Sequence, residues 1–323
     1  MKKTQHTQLE TTELGNTGME ITRIGYGAWA IGGGDWEFGW GHQEDDESGE
    51  AIARALELGV NWIDTAAAYG FGHSEEVVGR AIAGTGDARP YIFTKCSLLD
   101  DGTRRVVHSL KRDSVLREAH ASLDRLGVDA IDLYQIHWPD PDPDIEEGWA
   151  ALVELKEQGL VRHIGVSNFD VEQLHRIQQI APVETLQPQY SLIERDVERE
   201  ILPFSEREEI GVIAYSPMGS GMLTGGMTRE RLEQMADDDW RKHDARFREP
   251  ELSRNLALVD RLAAVAERHG TVPGAVAIAW TLRNPAVDGA IVGFRRPDQV
   301  DPLVTAANLQ LSEDDIAAIE GRR

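Results

Sequence analysis

The sequence predicts a (β/α)8 TIM barrel on two observations. Short β-branched or aliphatic runs alternate with segments of helical period, the sign of parallel strands joined by crossover helices. Eight such runs occur, most followed by a helix, and a chain of 323 residues suits one such unit. We expect a flexible polar arm over residues 1–12 and a single barrel domain over 13–323.

In chain order the strands are expected at 21–26, 60–64, 91–94, 130–136, 161–166, 184–187, 212–215 and 289–292. Between them, Trp149, Leu152, Val153 and Leu155 form an apolar helical stripe that ends at Gly159. Asp170 with Gln173 reads as a capping box, and Pro297 with Asp298 as the first turn of the last barrel helix. Two additions break the repeat: an extended loop after strand 7, over 217–252, and an extra helix before strand 8, over 273–282. Connections of that length tend to be lids or binding loops.

Composition narrows the class of protein. With 41% hydrophobic and 28% charged residues and no apolar run long enough to cross a bilayer, the chain reads as globular. Its first ten residues carry two lysines without the apolar core of a secretory signal, so a cytoplasmic location is expected. Cys96 is the single cysteine, which excludes an internal disulfide and a cysteine-built metal site. The 33 basic and 56 acidic residues leave a net charge of −23, which repels nucleic acid and anionic membrane and favours neither as a partner.

Active sites of such barrels are built at the C-terminal ends of the strands. There the sequence puts Asp64, Lys95, His137, Ser167, Asn168, Gln187 and Tyr215, with Tyr69 on the loop after Asp64. Asp64 can pair with Lys95 and keep it charged, since a buried unpaired lysine tends to lose its proton. The Lys95 ammonium would then favour the Tyr69 phenolate and make the hydroxyl a better proton donor, with His137 orienting a carbonyl oxygen or sharing the proton. The acceptor of that proton is an oxygen gaining negative charge, as a carbonyl oxygen does when hydride attacks its carbon.

Several segments resemble one family. The stretch 56–70 (LELGVNWIDTAAAYG), continued by 74–79 (SEEVVG), is similar to the first signature of the aldo-keto reductases; 91–95 (YIFTK) and 133–140 (LYQIHWPD) resemble the segments carrying the family's lysine and histidine. The likeness runs from about residue 9 to residue 319 with the motifs in order. It implies NADPH-linked reduction of small-molecule aldehydes or ketones without a metal, with Asp64, Tyr69, Lys95 and His137 as catalytic tetrad. In 165–169 (GVSNF) it implies Ser167 and Asn168, joined by Gln187, as binders of the nicotinamide amide, and Tyr215 as the aromatic on which the ring stacks. It further implies Ser216, Met218 and Ser220 as cofactor contacts. In 293–300 (GFRRPDQV), which resembles the adenosine 2′-phosphate segment, it implies Gly293, Arg295, Arg296 and Gln299. Leu303 stands where an adenine-contacting Asn is usual.

Other signals carry less. The stretch 25–30 (GYGAWA) fits a dinucleotide fingerprint, but three glycines follow instead of a helix. The alternating aspartates of 140–144 lack the turn glycine of a calcium loop, and His137 has no partner histidine at helical spacing. Cys96 reads as a packed strand-end residue. Trp29, Trp36, Trp40 and Trp138 are candidates to wall a substrate pocket, Trp29 and Trp138 first. Two alternatives stay open: a barrel aldolase or isomerase using Lys95 as a Schiff base, and a cofactor-binding partner protein, as a further resemblance to potassium-channel β subunits allows.

Overall fold

The computed structural model describes residues 8–86, 89–236 and 239–322. Eight parallel strands close into a barrel: β1 (Ile24–Gly27), β2 (Trp62–Asp64), β3 (Tyr91–Cys96), β4 (Ile131–Ile136), β5 (Val161–Ser167), β6 (Thr185–Gln187), β7 (Gly211–Tyr215) and β8 (Gly289–Gly293). β8 pairs with β1 through Ala290↔Ile24 to Gly293↔Gly27, so no sheet edge remains in the barrel. All eight expected strands are present. The expected 21–26 run, however, merges two elements: Glu20–Thr22 pairs antiparallel with Thr11–Glu13, and β1 begins only at Ile24. The apolar run continues through the break, which hides it. Of the arm expected over 1–12, residues 1–7 lie outside the described residues, while Thr11 and Thr12 belong to that hairpin rather than to a loose arm.

Alternation of side chains along each strand divides the core in two. Outward residues such as Tyr26, Ile63, Ile92, Tyr134 and Ile164 pack under the helices. Inward residues Trp62, Phe93, Leu133, Ile213 and Ile291 meet Leu14, Met19 and Ile21 from the hairpin and fill the barrel floor. Trp62 lies across this floor with its indole N–H donating to the Thr22 carbonyl at 2.8 Å. A Cβ on Gly25 would come within 2.2 Å of the Trp62 ring, so the bulk at position 62 requires glycine at 25.

The helix boundaries follow the expected caps. Asp170 and Gln173 close a reciprocal capping box on Val171–Ile177, and the Trp149 stripe lies on Ile145–Glu157. The extra helix is Pro273–Leu282, buried on all sides, which explains its apolar sequence. Pro297 opens a 3-10 turn, and the segment continues as the short helix Val300–Val304 and a second 3-10 turn, not as one barrel helix. After β7 the long connection folds into short pieces, Met222–Thr224, Arg229–Gln234, Trp240–His243 and Ala245–Phe247, which lie over the barrel mouth. After β3 a second hairpin, Leu98–Asp100 with Val106–His108, rises beside it. Among the described residues no helix is long and apolar enough to cross a membrane.

Candidate active site

The layer above the floor is polar because the same alternation that turns Trp62, Phe93 and Leu133 inward brings up Asp64, Lys95 and Gln135 two residues later. Lys95 Nζ donates to Asp64 Oδ1 at 2.6 Å, to the Thr65 carbonyl at 2.9 Å and to the Tyr69 hydroxyl at 3.3 Å. Gln187 Nε2 donates to the other Asp64 oxygen at 2.9 Å. Tyr69 is carried by the turn after β2, packed against the loop after β1. A Cβ on Gly70 would sit 2.1 Å from the Gly32 carbonyl oxygen, so glycine there permits the approach.

Burial dominates the electrostatics. It pushes Asp64 above the usual carboxylate range and Lys95 below the usual amine range, and in each case the partner's charge pulls back. The Tyr69 hydroxyl stands well above the ordinary phenol value, through burial first and the Asp64 charge second. This corrects the expectation that Lys95 makes Tyr69 the more acidic group at rest: the dry site outweighs the ammonium. His137 is held well below its ordinary value by burial, Lys95 and His108, so its ring is neutral. Its ring stands edge-on to Tyr69 with centroids 5.6 Å apart, and its buried Nδ1 has no hydrogen-bond partner.

Above these groups opens a cleft of about 940 Å³. Asp64, Tyr69 and His137 line it, and so do Ser167, Asn168, Gln187, Tyr215, Ser216, Met218, Ser220, Gly293, Arg295 and Gln299. Trp29 and Trp138 line it as well. Ser167 donates to the Gln187 carbonyl at 2.7 Å; the Asn168 amide donates to the His137 carbonyl at 3.0 Å and accepts the Tyr215 hydroxyl at 2.9 Å. Asn168 and Gln187 thus have protein partners that fix the orientation of their amides.

Two predicted residues do not line the cleft: Lys95, which is buried behind Asp64 and Tyr69, and Arg296. Arg296 is half-exposed and pairs with Asp298 at 3.1 Å at the start of the 3-10 turn. Arg295 is on the wall, its guanidinium bound to Gln43 Oε1 at 2.7 Å and the His42 carbonyl at 2.5 Å. Burial, then the nearby Arg241 and Arg296, push it below its ordinary value. Arg231, Arg241, Arg246 and Arg295 all line the cleft, with Asp244 and Asp298 among them, and the Arg241 charge acts on Arg295. Arg241, paired with Asp239 and lying 4.4 Å over the Trp40 ring, was not foreseen. Neither was Trp240 beside it, although an Asp-Trp-Arg run in a long connection is a signal. Gln135, which shares the buried polar layer with Asp64 and Gln187, was also missed; it precedes His137 by two residues and so shares its face.

These features fit a dinucleotide: amide side chains, an aromatic and an unpartnered His137 nitrogen at one part of the wall, and Arg295 with Gln299 elsewhere on it. Among the described residues no cluster of His, Cys, Asp or Glu is placed to hold a metal ion.

A closed parallel barrel with ionisable groups gathered at the strand C-termini is the architecture of a barrel enzyme. The chain belongs to the aldo/keto reductase family, whose model matches residues 23–322. It is 39% identical over 95% of its length to aldo-keto reductase YhdN of Bacillus subtilis (strain 168), covering 91% of that protein. It is 32% identical to the NADH-specific methylglyoxal reductase of Escherichia coli (strain K12), over 94% of each chain. Among solved structures, a glycerol dehydrogenase from Gluconobacter oxydans superposes with a TM-score of 0.86 at 36% identity, over 97% of this chain and 94% of that one.

Proposed function

We propose that the protein is a cytoplasmic NADPH-dependent oxidoreductase that reduces aldehyde or ketone carbonyls to alcohols, with Tyr69 as general acid. The observation that carries this reading is the contact of the Lys95 ammonium with both Asp64 and the Tyr69 hydroxyl, beneath a neutral His137. A reduced nicotinamide dinucleotide in the cleft supplies the hydride. Tyr69, held protonated by burial, gives its proton to the carbonyl oxygen as negative charge develops there. Lys95 meets the phenolate as it forms, because an ammonium at hydrogen-bond distance in a dry site favours that anion. Asp64 keeps Lys95 charged and fixed. The neutral His137 has one N–H to offer the same carbonyl oxygen.

The buried bonds of Lys95 to Asp64, Thr65 and Tyr69 count against the Schiff-base alternative, which needs a free neutral amine. NADPH is favoured over NADH by Arg295, whose planar fork suits a phosphate. The test is repeated turnover of NADPH with a panel of aldehydes, ketones, quinones and sugars, in the wild type and in Tyr69→Phe. We expect a loss of at least about 10² in turnover with NADPH affinity nearly unchanged. Full turnover in the variant would overturn the assignment, and a single slow turnover on every carbonyl would point to a cofactor-binding partner protein.

A further inference from the structure

Glu118 is a buried carboxyl outside the barrel, on the helix Arg112–Leu126, and it takes no part in the cleft. Its Oε2 accepts the Ser97 backbone N–H at 2.9 Å and its Oε1 accepts the Ser114 hydroxyl at 3.2 Å. Ser97 has a φ of +83°, a left-handed conformation that a non-glycine residue holds only where its surroundings impose it. Across the same peptide unit, the Cys96 carbonyl accepts the backbone N–H of His137 at 3.1 Å. One peptide plane therefore has Glu118 on its N–H and His137 on its C=O, one residue beyond Lys95. Ser97 ties the two strand ends again, its hydroxyl lying 3.4 Å from both the nitrogen and the oxygen of Trp138. Its own carbonyl accepts the Ser109 N–H at 3.0 Å, where the hairpin returns.

A charged acceptor on the N–H of a peptide polarises it and strengthens its carbonyl as an acceptor, whereas a neutral carboxyl does so less. We propose that Glu118 is a positioning residue: through the Cys96–Ser97 peptide its carboxylate holds the strand ends that carry Lys95 and His137, and its protonation slackens them. The part that concerns catalysis rests on the site reading above. The groups facing Glu118 are Cys96 from β3 and Ser97 just after it, Tyr134 from β4, Ser114 and Arg117 from its own helix, and Glu75 from the helix His73–Ile82. Burial raises the carboxyl most, Glu75 adds to that, and the Ser97 and Ser114 bonds and Arg117 oppose it, leaving it at about 7. The switch therefore lies in the neutral range.

The test is a pH titration of the full chain followed at the Ser97 and His137 backbone amides by nuclear magnetic resonance, in the wild type and in Glu118→Gln, which keeps the shape and an acceptor for Ser97. The wild-type amides should move together with one midpoint near neutrality; in the variant Ser97 should lose that movement and His137 should keep only the part that His108 causes. His108 also acts on His137, and its contribution persists in Glu118→Gln. Wild-type turnover should fall several-fold on the acid side of the same midpoint, with the Michaelis constant for the cofactor unchanged, and the variant should lack that limb. A His137 amide that stays still while Ser97 titrates would overturn the proposal, as would superimposable pH–rate profiles. If Glu118→Gln does not fold, the wild-type titration decides. Because the amide readout involves no turnover, it stands even if Tyr69→Phe shows the site reading to be wrong.

Discussion

Trp240 lies against Trp29 with ring centroids 5.6 Å apart and planes 16° apart, and Trp40 meets both edge-on, at 5.2 Å from Trp29 and 5.8 Å from Trp240. Trp29 follows β1 and Trp240 comes from the long connection after β7, so the stack joins two loops of separate origin across the mouth. Aromatic pairs of this kind contribute about 0.5–1.5 kcal/mol beyond the area they bury. Trp240→Ala should lower kcat/KM several-fold for carbonyls with an aromatic or long alkyl substituent and change it much less for the smallest aldehydes. A size series of substrates measures this, and a uniform loss across it would show that Trp240 supports the loop without shaping the pocket.

Lys95→Met should reduce turnover by at least about 10². It also leaves Asp64 buried without its cation, and breaking such a pair costs about 3–5 kcal/mol in stability. Adding Asp64→Leu should recover much of the stability and none of the turnover. Denaturation midpoints and rates on the same two variants separate the structural part of the pair from the chemical part; recovery of both together would contradict the assigned role.

Arg295 and Arg296 were expected to act alike on a cofactor phosphate, and the structure divides them. Arg295→Ala should raise the Michaelis constant for NADPH far more than that for NADH, by about 1.5–3 kcal/mol for a lost charged hydrogen bond. Arg296→Ala, which removes only a solvent-exposed pair with Asp298, should change either constant little. Equal constants for NADPH and NADH in the unmutated protein at one salt concentration would remove phosphate selection altogether.

Glu118 also sets a slope in stability. Its folded value of about 7 lies above the ordinary 4.5, so between those limits the native chain keeps a proton that the unfolded chain has released. Its contribution to global stability therefore weakens as pH rises from about 4.5 to about 7, by about 3 kcal/mol in all, because burial penalises the charge by more than the tighter Ser97 bond returns. Glu118→Gln should remove this slope. Urea unfolding of both proteins at several pH values gives the difference, and parallel curves would mean that the carboxyl titrates normally.

The strand order and the gathering of polar side chains at one end of the barrel were legible because both rest on period-two alternation: Trp62 and Asp64, or Phe93 and Lys95, share a face wherever the strand sits. The β1 boundary was not, because an apolar run does not record that its first half pairs antiparallel beneath the barrel. Nor was the reach of Arg296 or Trp240, which depends on loop geometry and local ion pairs rather than on any period. The Tyr69 acidity was misjudged for a related reason: a nearby cation is visible in a motif, while the exclusion of water is a property of the assembled fold.

The packing of Leu14, Met19 and Trp62 beneath the reacting groups makes the barrel a vessel with a stopper. Traffic in both directions then shares one doorway on the side of the cleft. That doorway is bordered by Trp29 and Trp240, so entry and exit pass the same two loops.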